Sequence, residues 1–451
     1  MDPSEIMAQV RDKNIHLVAF LYTDNNGVIR GKMSGTRGLE RRLKSGIGLP
    51  VAMQVLNGLD FSQFAEGLGA SGEVRLFPDL DTFTILPYAP GRAAMICDLV
   101  SPTLEPWALC TRSFLKNMIS RANNLGLHLR VSLESEWMLA RLVGEDYRPL
   151  DTSLHSSTVG MTTARLVIDE AVLALEAQGM EVEQYHPELG HGQQELSIHH
   201  TDILRAADNH VLYRETIRNV AWNHGLFASF APKPFPNQAG NGCHIHFSVW
   251  DKEDDSNLFY HSTDRHGLSD LAYHFMAGVL GHLPGLVGLT CPSVNSYRRL
   301  QPQTWSSSYI CYGPDNREAA IRIPSLFVGN EMGSTNLELK ASDNSCNPYM
   351  ALGGLLAAGL DGLEKRIAPN TNLMVEGDPH LLSQLERRRR GIKRLPNNLG
   401  TALMELRRNG VLMKAMGSSL ANCYLAVRES EWEQFSAQDE DYELKQHFYR
   451  Y

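Results

Sequence analysis

Glu134-Ser135-Glu136 lies inside a strand-like run, Leu127 to Leu139, and this placement restricts the fold more than any other feature of the chain. The run reads as a β-strand. Side chains alternate between the faces of a strand, so both carboxylates point the same way. Two carboxylates together on a buried strand repel and raise each other's pKa unless a cation sits between them. The alternative for this stretch alone is a charged pair on a surface strand.

Four further groups bear on that choice. His186-Pro187-Glu188-Leu189-Gly190-His191-Gly192-Gln193-Gln194-Glu195 sets Glu188 and Glu195 across a glycine-punctuated segment that can fold to bring the two carboxylates together, although taken alone it reads as a surface loop. Gly240-Asn241-Gly242-Cys243-His244-Ile245-His246-Phe247-Ser248 puts His244 and His246 on one strand face behind glycines that admit a ligand. Such a pair is either a metal site or a hydrogen-bonded core feature. Arg298, Arg299, Arg317 and Arg322 fall in apolar surroundings, where a guanidinium needs an anion: phosphate, a substrate carboxylate, or a structural acid nearby. Glu338 and Lys340 share a strand face, as an ordinary cross-strand pair also would.

Together these residues offer mainly hard oxygen ligands with histidine, a set suited to Mg²⁺ or Mn²⁺ rather than zinc or copper. Carboxylates for metal and arginines for phosphate make up the inventory of phosphoryl transfer from a nucleotide. No P-loop lysine motif and no GxGxxG after a strand is present, which excludes the P-loop and kinase patterns.

The chain has 451 residues, enough for two or three domains. Its formal net charge of -9 argues against nucleic acid or an anionic membrane as the main partner. Seven cysteines, with no CxxC pair, argue against a disulfide framework or structural zinc and place the chain in a reducing cytoplasm. Met1 to Lys13 has no apolar core for a signal peptide. Leu268 to Cys291, interrupted by Asp270, His274, His282 and Pro284, reads as a buried helix rather than a membrane span.

The chain start reads as β: strands over Ile15–Tyr22 and Val28–Met33 flank the turn Asp24-Asn25-Asn26-Gly27, with a short helix over Leu39–Lys44 and further strands over Thr82–Leu86 and Ala93–Leu99. Residues 1–105 form one small domain on this reading and 106–451 a larger catalytic domain, with no internal repeat. Helices are expected over Leu109–Asn124, Thr162–Gln178, Ile203–Asn223 and Tyr349–Ile367, strands over Phe227–Phe230 and Cys243–Val249, and a helical, charged tail from about Pro379. The run Arg387–Arg390 reads as a solvated helix face.

In their order and spacing, ESE at 134–136, HPELGHGQQE at 186–195, GNGCHIHFS at 240–248, NSYRRL at 295–300, NREAAIRIP at 316–324 and ELKASDNSCNPYMALGGLLAAGLDGLE at 338–364 resemble the glutamine synthetase family. The resemblance implies an α+β fold: a small N-terminal β-grasp domain, then a catalytic domain with a curved antiparallel sheet and flanking helices. It implies two divalent ions, one on Glu136, Glu188 and Glu195 beside the glutamate site, and one on Glu134, His244 and Glu338 at the ATP phosphates. By the same resemblance His246, Ser248 and Lys340 belong to the nucleotide side, Gly240 to the amino acid substrate, and Arg299 to its α-carboxylate, while Arg317 and Arg322 face the transferred phosphoryl group. The implied reaction is ATP-dependent formation of γ-glutamyl phosphate from L-glutamate, then attack by an amine. Assembly as a homo-oligomer, a dodecamer of two stacked hexameric rings with active sites between subunits, is implied in the same way.

The chain departs from the ammonia-using members in three places. Their flap glutamate, six residues past the substrate-binding arginine, is here Trp305. Their ammonium-binding aspartate has no counterpart in Gly46 to Met53, with Asp60 the nearest acid downstream. An arginine two residues past the metal-binding glutamate is Lys340, which keeps charge but loses the fork. Ammonium needs carboxylates for binding and deprotonation; tryptophan and aliphatic residues make a site for something larger and less charged. The pattern resembles members that make γ-glutamylamides from organic amines, with Trp305 as a pocket residue. The alternatives are a glutamine synthetase with an unusual ammonia site, and a catalytically silent member, which would require broken metal ligands. The tyrosine adenylylated in some bacterial members has no counterpart in Leu395 to Leu399.

Overall fold

The computed structural model describes residues 1–451. It begins with a helix, ahead of the first strand, over residues to which the sequence pattern assigns no element. In α1 (Pro3–Asp12), the Asp2 carboxylate accepts from the Ser4 and Glu5 amides while Glu5 accepts from the Asp2 amide. That reciprocal cap, with Pro3 in the first turn, sets the helix start, and Ile6 and Val10 bury its inner face. β1 (Leu17–Thr23) and β2 (Ile29–Gly35) pair antiparallel around the expected turn. Asp24 closes the turn by accepting from the Asn26 and Val28 amides. Gly27 has φ +72°, and a Cβ there would sit 2.3 Å from the Ser345 carbonyl oxygen, so the hairpin tip docks against the larger part of the molecule only with glycine.

α2 (Leu39–Ser45) follows, then β3 (Ile47–Pro50), β4 (Glu73–Pro78), β5 (Thr84–Ile85) and β6 (Arg92–Val100). The sheet runs β2-β1-β6-β4-β3, with β5 on β6. β3 and β4 are not evident in the sequence: β3 holds Gly48 and Pro50, tolerated there because it is the edge strand. The strand expected over Thr82–Leu86 shrinks to β5, because Thr82 closes a short turn on the Asp79 carbonyl. Phe20, Leu39, Leu43, Leu76 and Met95 are among the residues of this lobe's own core.

The larger part is built on a second sheet. Its elements are α3 (Thr111–Asn123), β7 (Leu127–Val143), β8 (Asp146–Pro149), α4 (Thr158–Ala177), β9 (Val182–Pro187), β10 (Gln193–Ile198), β11 (Thr201–Asp202), α5 (Ile203–Asn223), β12 (Phe227–Ser229), β13 (Cys243–Asp251), α6 (Asp270–Thr290), α7 (Ser296–Arg299), β14 (Tyr309–Pro314), β15 (Ala319–Ile323), α8 (Glu331–Ser334), β16 (Leu337–Leu339) and α9 (Pro348–Glu364). The strand order is β14-β15-β16-β13-β7-β10-β9, with β8, β11 and β12 also on β7; every pair is antiparallel except β14 with β15. Burial alternates along the first half of β7: Leu127, Leu129, Val131 and Leu133 are buried toward the α3 and α5 side, leaving Ser132 and Glu134 on the opposite face. The packed pair α6 and α9 and the Phe247, Phe259 and Phe275 cluster extend the same core. No helix is long and apolar enough to cross a membrane.

The tail is helical as expected: α10 (Gln384–Arg390), α11 (Leu399–Arg408), α12 (Gly410–Met416), α13 (Ser418–Ser436) and α14 (Glu440–Phe448). Its arginine run is only half a solvated face. Arg388 and Arg389 are exposed, but Arg387 donates to the carbonyls of Pro379 and His380, and Arg390 to that of Asn372, fastening a loop that lacks regular hydrogen bonding.

Candidate active site

Strand register assembles a row of polar side chains on the face of the second sheet opposite the helices. In antiparallel pairs, directly opposed residues share a face. Glu134 opposes His244, Glu136 opposes Glu195, and Glu195 opposes His186. On the other side His246 opposes Glu338, and Glu338 opposes Arg322. The row from Arg322 across to His186 thus comes from β15, β16, β13, β7, β10 and β9.

Side-chain contacts tighten it. His244 Nδ1 lies 3.4 Å from both Glu134 Oε1 and Glu338 Oε1. His246 Nε2 is 3.2 Å from Glu134 Oε2, and the Glu134, His246 and Glu338 ligand atoms lie within 4.8 Å of one another. Arg322 Nε pairs with Glu338 Oε2, and Lys340 Nζ is 3.3 Å from Glu338 Oε1. On the β9 side, His186 Nε2 contacts Glu188 Oε1 at 2.9 Å, and its Nδ1 is 3.8 Å from Glu195 Oε1. Glu136 Oε2 accepts from the Gln193 side chain and the Gly242 amide, both at 2.9 Å. A Cβ on Gly242 would meet the Arg299 guanidinium and the His244 ring, each at 2.6 Å, so glycine is what lets Arg299 reach 3.2 Å from His244 Nε2.

The row floors a cavity of about 370 Å³. Glu134, Glu136, Glu188, Glu195, Gly240, His244, Arg299, Trp305, Arg317, Arg322 and Lys340 line it. Of the remaining sequence-derived candidates, Glu338 and His246 sit beneath the lining in contact with Glu134 or His244, and Ser248 is withdrawn, its hydroxyl taken by the Trp250 indole N–H at 2.8 Å. Asp60 does not reach the cavity; it pairs with Arg30 in the N-terminal lobe at 2.6 Å. An adjoining cavity of about 290 Å³ shares Gly240, Arg299 and Trp305, and its only charged side chains are Lys233 and Arg299.

Burial opposes ionisation throughout, and neighbours decide the outcome. Burial, with Glu134, Glu136 and Glu188 close by, pushes Glu195 up to about 11. At Glu134 burial is outweighed by hydrogen bonds to His244 and His246, which hold it well below the carboxylate range. Glu338 is drawn down against its burial by Lys340, His246, His244 and Arg322. Four carboxylates on one patch, one of them forced neutral by protein alone, fit a divalent cation: its charge would let all four ionise, and the oxygen and imidazole donors match a hard ion.

Sequence reasoning passed over His155, Gln193 and Glu318. His155 reaches Glu188 from an irregular loop with no periodic signal, at 3.7 Å. Gln193 lies in the 186–195 motif, where the sequence alone gives it no role, and donates to Glu136 at 2.9 Å. Glu318, 6% exposed, accepts the Trp305 backbone N–H at 2.7 Å.

Comparison with known proteins covers nearly the whole chain. Residues 1–107 match the family model described as glutamine synthetase N-terminal domain, and residues 108–447 the one described as glutamine synthetase, catalytic domain. Gamma-glutamylpolyamine synthetase GlnA3 of Streptomyces coelicolor is 36% identical over 97% of this chain and 94% of its own length. Glutamate–methylamine ligase of Methyloversatilis universalis is 31% identical over 98% of each chain. A crystal structure described as a novel glutamine synthase homolog superposes with a TM-score of 0.85 at 33% identity, covering 96% of this chain and 98% of that one.

Proposed function

Since this chain belongs to the glutamine synthetase family, we propose that it joins the γ-carboxylate of L-glutamate to an organic amine, as a γ-glutamylamide synthetase. It is an ATP-dependent acid–amine ligase, and ligases of its kind use divalent metals. The observation that carries the amine reading is Trp305: the flap Gln301–Ser307 contains no acid, and its tryptophan lines the catalytic cavity where ammonia-using members place a glutamate. The polyamine and methylamine specificities named for two relatives point in the same direction.

The reaction divides between the two halves of the row. Arg299, with Lys233 near it, takes the α-carboxylate of glutamate in the adjoining cavity, with Gly240 beside the substrate backbone. The γ-carboxylate oxygen then attacks the γ-phosphorus of ATP, the bond to the bridging oxygen breaks, and ADP leaves. Arg317 and Arg322, aided by Lys340, neutralise charge on the transferred group, and fixed donors in a partly dry site lower the barrier more than water could. Glu136, Glu188 and Glu195 would hold one divalent ion, Mg²⁺ or Mn²⁺, and Glu134, His244 and Glu338 a second, with His246 toward the nucleotide. Bound there, such ions would supply Lewis-acid charge for the transferring phosphoryl group. The neutral amine next attacks the acyl carbonyl of γ-glutamyl phosphate, phosphate leaves, and the nitrogen sheds a proton to give the amide. Trp305 forms a wall against which the amine's carbon substituent packs.

The same reading takes residues 1–105 and 106–451 as the two domains and a cytoplasmic dodecamer of two stacked hexameric rings, with active sites between subunits, as the working assembly. Seven buried, unpaired cysteines support a reducing compartment. The test is phosphate release from ATP with glutamate and Mg²⁺ across ammonium, methylamine, isopropylamine, ethanolamine, putrescine and aniline. The reading expects an organic amine to exceed ammonium in kcat/KM by a large factor; preference for ammonium overturns it.

A further inference from the structure

We infer that Glu318 is a positioning residue for the amine half-reaction: its buried carboxylate fastens the flap Gln301–Ser307 so that the Trp305 ring stands over the cavity. The inference rests on the amine-ligase reading and extends it to a residue that does not itself line the cavity.

Three independent observations converge on Glu318. The flap is conformationally costly, since Gln303, Trp305 and Ser307 all have left-handed backbone, at φ of 61°, 56° and 67°, and none is glycine. In that region the side chain crowds its own backbone, so such residues persist only where surrounding contacts hold them. The holding contact at the centre of the flap is the Trp305 backbone N–H donating to Glu318 Oε1 at 2.7 Å.

The second observation is the state of the carboxylate. Glu318 is buried, and its Oε2 has no hydrogen-bond partner. A half-satisfied buried carboxylate is expensive and marks a position where the interaction it does make has a purpose. Burial raises its pKa while the Trp305 and Gln303 amides pull it back, so the flap amides are what favour its charged form. The third is connectivity. Glu318 sits in the turn between β14 and β15 beside Arg317, which lines the catalytic cavity. Ser307 donates to the Ala319 carbonyl at 2.7 Å, so the flap's far end is tied to the same turn. One turn therefore sets both an arginine directed at the phosphoryl group and the wall proposed for the amine. Where ammonia-using members carry an acid on the flap itself, this chain carries one beneath it, spent on the backbone.

The test compares Glu318→Ala, Glu318→Gln and Glu318→Asp in steady-state assays on the full chain, using the best amine from the panel above. Glu318→Ala is expected to raise the amine KM by roughly tenfold or more, the loss of a hydrogen bond to a charged acceptor, while the KM values for ATP and glutamate stay within about twofold. Glu318→Gln keeps an oxygen for the Trp305 amide and is expected to behave nearly as wild type. Glu318→Asp retracts the acceptor by one methylene and keeps the charge; it is expected to reproduce the amine-specific rise even if the alanine variant fails to fold. In a Trp305→Ala background, Glu318→Ala should add little, because its effect passes through that side chain. An unchanged amine KM in the alanine and aspartate variants, a glutamine variant as impaired as alanine, or additive effects in the double variant each overturn the inference. If wild type turns over only ammonium, the amine reading fails separately, and Glu318 is judged by the same criteria on the ammonium KM.

Discussion

Glu136 on β7 and Glu195 on β10 stand directly opposite each other in an antiparallel pair, both buried. Burial and the surrounding carboxylates push Glu195 up to about 11, so the metal-free chain keeps this pair by holding Glu195 protonated, at a cost to its own stability. A divalent cation is the natural compensation. Glu195→Gln removes the cost of protonating this carboxylate on folding without changing size. The metal-free variant is expected to melt at a higher temperature than wild type, to gain less from added Mg²⁺ or Mn²⁺, and to lose roughly 100-fold or more in turnover. Melting curves with and without metal, beside an ATP turnover assay, give all three quantities. A variant that melts lower without metal, or gains as much as wild type with it, contradicts the pairing argument.

Trp305 tests amine choice from the opposite direction. Trp305 lines the cavity and is 53% exposed, so a smaller charged residue fits there without disturbing the core. Trp305→Glu returns a carboxylate to the flap. We expect kcat/KM for ammonium to rise by roughly tenfold and that for the preferred organic amine to fall, since the pocket then favours a small cation over an apolar substituent. Competition between ammonium and the organic amine, read as product ratio by mass spectrometry, decides it. An unchanged ratio assigns selectivity to some other wall.

The sheet that builds the site was legible because its strands carry their chemistry at period two: Glu134 and Glu136, His244 and His246, Glu338 and Lys340 declare both a strand and a shared face. What the sequence does not contain is register. Nothing in the local pattern sets Glu136 against Glu195 or Arg322 against Glu338, because pairing is decided by long-range burial. Ser248 continues the His246 face by periodicity, yet Trp250 two residues on takes its hydroxyl. Glu318 was passed over for a related reason: alternation assigns faces along a strand, and Glu318 lies in a turn, where side-chain direction follows backbone geometry. At the chain start the capping box of Asp2 and Glu5 was readable, but the apolar strand that follows dominated the window.

The two lobes are stapled through Arg112 on α3. Its guanidinium donates to Asp208 of α5 at 2.9 and 2.7 Å, to Asp98 of β6 at 3.1 Å and to Asp79 at 2.8 Å, the last two in the N-terminal lobe. Removing one buried partner strands the others' charge. Arg112→Met is expected to cost about 3–5 kcal/mol in urea unfolding. Burial works against ionised Asp79, but Arg112 draws its pKa below the ordinary value. A depressed folded pKa gives stability that is complete above the unfolded aspartate value and is lost as pH falls through the folded one. The Arg112→Met variant should therefore lose less on acidification below about pH 4 than wild type. Parallel acid profiles for the two proteins contradict the staple.

Two histidines govern a milder pH range. Burial pushes His210 on α5 down to about 3, with Arg214 and Arg218 adding like charge, and pushes His447 on α14 down to about 4. Both are neutral in the folded protein. The unfolded chain takes up a proton at each near the ordinary value of 6.5, so it binds more protons than the native state once the pH drops below that point. The sign follows directly: stability is complete above about pH 6.5 and declines as the pH falls toward 4, by up to about 1.4 kcal/mol per pH unit for each histidine. His210 has no partner on Nε2, so His210→Phe removes the titrating group while keeping a flat ring nearly parallel to Tyr213, with centroids 6.5 Å apart. The variant's unfolding free energy is expected to fall less steeply than wild type between pH 6.5 and pH 5, measured by urea titration at fixed ionic strength. Equal slopes would mean that His210 gains its proton in the folded state as easily as in the unfolded one, and that its burial does not resist charge.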